Sequence, residues 1–189
     1  MRSFSNGITG NTFRPVAQAD KKMKKEQMEI RKGYISLGIR TLALVVIGWL
    51  LLTQVFLITQ MPDESMFPAL EAGDLVLAYR LQGSYSEDDV VVYQADGELK
   101  IGRVAARAGD VVEMDDSGTL AVNGAVQSGE IIFSTYAREG ITYPFTVPEN
   151  SVFILCDYRT NGTDSRDYGA VSFKDVKGKV ITILRRRSI

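Results

Sequence analysis

The chain has 189 residues, 45% of them hydrophobic and 24% charged, which is enough for one membrane anchor and one ordinary domain and too apolar for general disorder. It has no histidine and one cysteine, which excludes a Ser-His-Asp triad, a histidine- or cysteine-rich metal site and any intrachain disulfide. The net charge of -1 hides an asymmetry: residues 1–59 carry nine Lys/Arg against three Asp/Glu, residues 60–189 thirteen against twenty, and an acidic C-terminal part argues against nucleic acid as a partner.

Residues 1–20 are rich in Gly, Asn and Ser and read as a disordered tail. Residues 20–40 read either as a basic helix resting on anionic headgroups or as a solvated charge run. Thr41–Thr59 is nineteen residues without a charge, roughly 28 Å as a helix, and predicts one transmembrane α-helix. It begins too late and runs too long for a cleaved leader, so a retained signal-anchor is expected. Seven Lys/Arg between residues 21 and 40 precede it. The positive-inside rule then holds 1–40 in the cytoplasm, puts 41–59 in the lipid bilayer of the cell membrane, and places 60–189 outside.

Beyond residue 60 the pattern changes to short β-type runs cut by turn signals. Strands are expected at Asp74–Tyr79, Asp89–Tyr93, Leu99–Ala105, Val111–Met114, Thr119–Val122, Ser151–Leu155 and Val180–Leu184. Gly73-Asp74, Gly109-Asp110, Asn123-Gly124 and Asn161-Gly162 mark turns, and Asn123-Gly124 predicts a hairpin. No sustained helical period occurs here. The expectation is a mainly β exported domain, antiparallel and barrel- or sandwich-like. Arg185-Arg186-Arg187 reads as a solvated end.

Six segments in order carry a family resemblance. They are Ser65-Met66-Phe67-Pro68-Ala69-Leu70 with Gly73-Asp74, Asp89–Tyr93, Arg103-Val104 with Gly109-Asp110, Asn123-Gly124, Asp157-Tyr158-Arg159 with Asp164-Ser165-Arg166 and Gly169, and Gly178-Lys179. Together, behind an anchor, they resemble the bacterial type I signal peptidases, membrane-bound serine proteases with a Ser-Lys dyad. The resemblance covers residues 40–189. It implies the family's β-rich domain, Ser65 as nucleophile, no cofactor and no metal. It also implies exported preproteins and their signal peptides as partners, held as extended strands.

A serine hydroxyl needs a base, and a desolvated lysine can serve without histidine. The family's lysine directly precedes the Arg-Val pair, and here that position is Gly102. The family's second serine, which orients the lysine, falls on Gly162. Lys100, two residues upstream on the same strand face, is the candidate substitute base, reaching into the gap expected at Gly102. Asp63 stands where many relatives carry a hydroxyl for the oxyanion hole. Asp164 and Arg166 are expected to pair and shape the loop beneath the site, Asp157 to bond loop backbone and Arg103 to support its strand. Met66 reads equally as a groove residue or as core. Three readings remain: an active peptidase; a catalytically impaired homologue helping pilus or surface-protein assembly beside pilins or sortase machinery; and, weakest, a self-cleaving repressor-type domain.

Overall fold

In a computed structural model, residues 14–127 and 133–185 are described. The chain forms two compact units, divided between Leu51 and Leu52. Helix α1, Arg14–Val55, is a single helix of 42 residues, so the basic segment continues without a break into the apolar one. Pro15 sits in the first turn, where a missing N–H costs nothing. The helix is long and apolar enough to cross a membrane, with mean hydropathy 2.2 in its most apolar stretch, and that stretch has no protein cover. The expected tail lies mostly in residues 1–13, outside the described residues; its last part is helical.

The apolar run does not stay helical to Thr59. It ends at Val55, and Phe56–Gln60 is strand β1, paired with β2, Leu75–Tyr79. Phe56, Ile58 and Thr59 are strand-favouring residues, and pairing with β2 supplies the backbone partners that a helix end would lack. The Val55 carbonyl accepts from Arg80 N at 2.8 Å. Charge-free composition alone could not mark this switch.

The second unit continues with β3 Val90–Ala95, β4 Glu98–Arg107, β5 Val111–Met114, β6 Leu120–Val122, β7 Ala125–Val126, β8 Phe145–Thr146 and β9 Ser151–Leu155. The short helix α2, Ser165–Tyr168, and strands β10, Val171–Ser172, and β11, Val176–Leu184, complete it. Seven strands form one antiparallel sheet in the order β1-β2-β11-β3-β4-β9-β10, and β7-β6-β5-β8 form a second. The mainly antiparallel β architecture behind an apolar helix is therefore as expected. Asn123 and Gly124, with φ of 53° and 77°, make the β6–β7 turn that positive φ demands.

Strand β9 is buried on both faces. Val152 and Ile154 enter one apolar cluster with Tyr93 and Val104, while Phe153 and Leu155 enter another with Val112 and Val122. A third cluster, Met61, Met66, Leu70, Val76, Val92 and Ile101, lies under the β1–β2 connection. Arg185 is not merely solvated: its guanidinium reaches Ala69 O at 3.1 Å and Asp74 at 3.7 Å. Arg186 and Arg187 lie outside the described residues.

Candidate active site

The β1–β2 connection is a closed loop. Met61 N donates to Asp74 O at 2.8 Å and Gly73 N to Met61 O at 2.9 Å, which staples its two ends. Inside it, Met66 is fully buried in the third apolar cluster and pins the adjacent Ser65. Met66 is thus core, and offers a ligand no surface. Ser65 itself is 6% exposed. Its carbonyl accepts from Tyr158 N at 2.9 Å, tying the loop to the segment after β9. Its N–H donates to the Asp63 carboxylate at 2.9 Å. Its side chain is within hydrogen-bonding reach of the Cys156 thiol, whose pKa is pushed up to about 12 by burial and then by the Asp164 charge. Ser65 therefore faces a neutral thiol, not a thiolate.

The segment after β9 is held by charge. Asp164 Oδ1 accepts from Arg166 Nε at 2.9 Å and Oδ2 from Arg166 Nη2 at 2.8 Å, with both side chains buried. Asp164 also takes Cys156 N and caps α2, with Asp167 returning the capping bond to Asp164 N. Arg166 Nη2 donates to Arg159 O at 2.7 Å, closing the loop across its width. Burial would push the Arg166 guanidinium down, but the Asp164 bonds prevail and hold it above its ordinary value. Asp157 accepts from the loop N–H of Arg159 through its carbonyl at 3.1 Å, while its carboxylate accepts both Nε and Nη2 of Arg103, at 2.8 and 2.7 Å. Tyr158, for which the sequence offers no reading, stacks on Phe133 with ring centroids 4.4 Å apart.

Neither glycine leaves a gap. A Cβ on Gly102 would meet Ile154 Cγ2 at 2.5 Å and both Leu155 O and the Tyr93 ring at 3.3 Å. A Cβ on Gly162, at φ of 90°, would meet Ser65 Cβ at 2.7 Å and Cys156 Sγ at 3.2 Å. The apolar core has closed over the first position and Ser65 over the second, so the space expected at Gly102 for a reaching lysine does not exist.

Lys100 takes a different route. It pairs across the sheet with Tyr93 and lines a cleft of about 260 Å³ together with Asp63, Ser65, Cys156 and Thr163. Its Nζ donates a short hydrogen bond to Thr163 Oγ1. Among the described residues no carboxylate pairs with Lys100. The cleft thus brings together Ser65 and Lys100, whereas Met66, Asp157, Asp164 and Arg166 do not line it. Thr163 was missed by sequence reasoning. Its signal was its place beside Gly162 in a block already aligned by motif. Among the described residues no group of histidine, cysteine and acidic side chains could hold a metal ion.

Ser65 and Lys100 thus line one cleft of a mainly antiparallel β unit that follows an apolar helix. A model of the signal peptidase family, peptidase S26, matches residues 34–184, and the chain belongs to that family. It is 31% identical over 133 residues to a probable thylakoidal processing peptidase 2 of Arabidopsis thaliana, covering 64% of this chain and 35% of that one. The chain thus spans about a third of that relative's length. It is 25% identical over 169 residues to signal peptidase I S of Bacillus subtilis, covering 82% of this chain and 91% of that protein. An inactive signal peptidase IA of Staphylococcus aureus is 23% identical over 155 residues, 74% of this chain and 84% of that one. The crystal structure of a signal peptidase I from Enterococcus faecalis aligns with 28% identity over 52% of this chain and 97% of that one, at a TM-score of 0.42.

Proposed function

We propose that this protein is a membrane-anchored serine endopeptidase of the signal peptidase I type, acting on the signal peptides of exported preproteins. Ser65 is its nucleophile, Lys100 its base and Thr163 the hydroxyl that orients the base. The observation that carries this reading is the Lys100–Thr163 hydrogen bond in the cleft that Ser65 lines. The amine expected at position 102 is supplied from two residues upstream, and the hydroxyl expected at 162 from one residue downstream. Both substitutions act together, which a solvated lysine would not require.

The chemistry follows from this pairing. A lysine held by a hydroxyl gains less for its charged form than one held by a carboxylate, and a neutral amine is what proton abstraction needs. In the acylation step Ser65 Oγ forms a bond to the scissile carbonyl carbon. Its proton passes to Lys100 Nζ, and the carbonyl π pair moves onto oxygen. Collapse of the tetrahedral species expels the peptide amine, which takes the proton from the lysine ammonium. In deacylation water gives a proton to the Lys100 amine and its oxygen bonds to the acyl carbon; the bond to Ser65 Oγ then breaks, the carboxylic acid leaves, and the proton passes from Lys100 to Ser65 Oγ. Met66, Asp157, Asp164 and Arg166 act by holding the Ser65 and Thr163 backbones in place. The basic N-terminal side of α1 lies in the cytoplasm and the β unit outside, so the cleft meets chains emerging through the membrane.

The test is turnover of a preprotein by purified full-length protein in detergent micelles. Ser65→Ala is expected to abolish it and Lys100→Ala to lower kcat by about 10²–10⁴. Thr163→Val is expected to lower kcat by about 10-fold, since it alters how the amine is held. Wild type no faster than Ser65→Ala overturns the endopeptidase reading. The non-proteolytic helper reading then requires both proteins to bind a signal-peptide segment equally.

A further inference from the structure

We propose that Asp63 occupies the oxyanion-stabilising N–H of Ser65 in the resting enzyme, and that turnover requires the substrate carbonyl to displace it. This rests on the endopeptidase reading above and names how that same site is restrained. The backbone N–H of a nucleophilic serine is the donor that its own residue can offer to the developing oxyanion. Here that N–H points at Asp63 Oδ1, 2.9 Å away. Asp63 also lines the cleft shared by Ser65, Lys100 and Thr163, so the carboxylate stands where the carbonyl oxygen must arrive.

The contact is local, between residues two apart, and among the described residues no lysine or arginine pairs with Asp63. Among the described residues no further hydrogen bond or ion pair braces the carboxylate, so rotation about its own side-chain torsions can release the N–H. While it stays, it acts against catalysis in two ways. An ionised acceptor makes a bond roughly twice as strong as a neutral carbonyl would, so the carbonyl enters at a disadvantage. A carboxylate left beside the tetrahedral species repels the charge that the site must stabilise. Asp63 therefore sets a low resting activity, and the cleft opens only for a segment bound firmly enough elsewhere to push the side chain aside.

The experiment compares full-length wild type, Asp63→Asn, Asp63→Ser and Ser65→Ala in detergent micelles on one preprotein. Asp63→Asn keeps the side chain's shape and a weaker form of the bond, and is expected to raise kcat/KM by about 10-fold. Asp63→Ser replaces the anion with a hydroxyl donor and is expected to raise it by about 10². The gain lies mainly in kcat, because the charge being relieved exists only in the transition state. Adding Ser65→Ala to Asp63→Ser removes it. If Asp63→Ser does not fold, the isosteric Asp63→Asn decides alone. Variants at or below wild-type activity, with Ser65→Ala still inert, overturn the inference and leave the endopeptidase reading standing. Wild type and every variant as inert as Ser65→Ala overturns both. A silent wild type awakened by Asp63→Ser, through Ser65, overturns the reading of this chain as an active endopeptidase and supports Asp63 as the group that holds the site off.

Discussion

On one side of Ser65, Asp164 and Arg166 are buried together and meet as a two-pronged ion pair; on the other, the Lys100 amine meets a hydroxyl. The first arrangement fixes shape. Its charges are committed to each other, to Cys156 N and to Arg159 O. The second leaves an amine with no ion pair among the described residues, in a cleft that Ser65 and Asp63 also line. The contrast teaches where this chain keeps charge and where it withholds it. Charge meets charge where the loop is held, and in the cleft the Lys100 amine meets a hydroxyl.

Breaking the rigid side should produce the largest effect on stability. Arg166→Met leaves Asp164 buried without its partner, and the expected loss is about 3–5 kcal/mol in urea unfolding. Lys100→Ala, in the same assay, should change stability by no more than about 0.5 kcal/mol. The comparison fails if the lysine variant destabilises as much as the arginine one, because Lys100 would then be a structural residue too.

A smaller effect sharpens the account of the two glycines. Gly102→Lys puts a side chain into Ile154, 2.5 Å from the added Cβ, in a core with no room. An overpacking cost of about 1–3 kcal/mol is expected. In a Lys100→Ala background the new lysine should not restore preprotein turnover, since the position faces packed core and not the cleft. Restored turnover would show that position 102 still reaches Ser65, and that the amine had no need to move upstream.

These contrasts also mark what was legible in the chain. Strands β5 and β9 were expected with their observed limits, because β-branched and aromatic residues end there against turn residues. The start of β1 was hidden, since Phe56–Thr59 is as free of charge as the helix before it. Strands β7, β8 and β10 have two residues each and show no period to read. At the site, Ser65 was raised by motif and Lys100 by strand geometry, and the structure places both on one cleft, though not through the gap expected at Gly102. The closure over Gly102 and Gly162 was not legible, because it depends on Ile154 and on Ser65 arriving from distant segments. Asp63 and Ser65 stand at the spacing of an Asx turn, a local pattern that sequence alone could have raised.

The smallest expected effect concerns the thiol between the two sides. Cys156 is 1% exposed, and burial followed by the Asp164 charge pushes its pKa from 9.0 up to about 12. In the unfolded chain the thiol loses its proton near the ordinary value, while in the folded protein it keeps it. The folded state therefore binds more protons across the window from about pH 9 to about pH 12, and stability must fall as pH rises through it. The loss attributable to Cys156 is about 1 kcal/mol by about pH 10. Tyr93 and Tyr168, whose pKa values burial also raises, add to the same slope. Cys156→Ala should flatten the urea-unfolding profile between about pH 9 and about pH 10 by the thiol's share and leave the tyrosine share in place. A thiol reagent should label the wild-type protein only as fast as it unfolds. Rapid labelling of the folded protein near neutral pH would mean a thiolate beside Ser65 and would overturn the account of a thiol held neutral by burial.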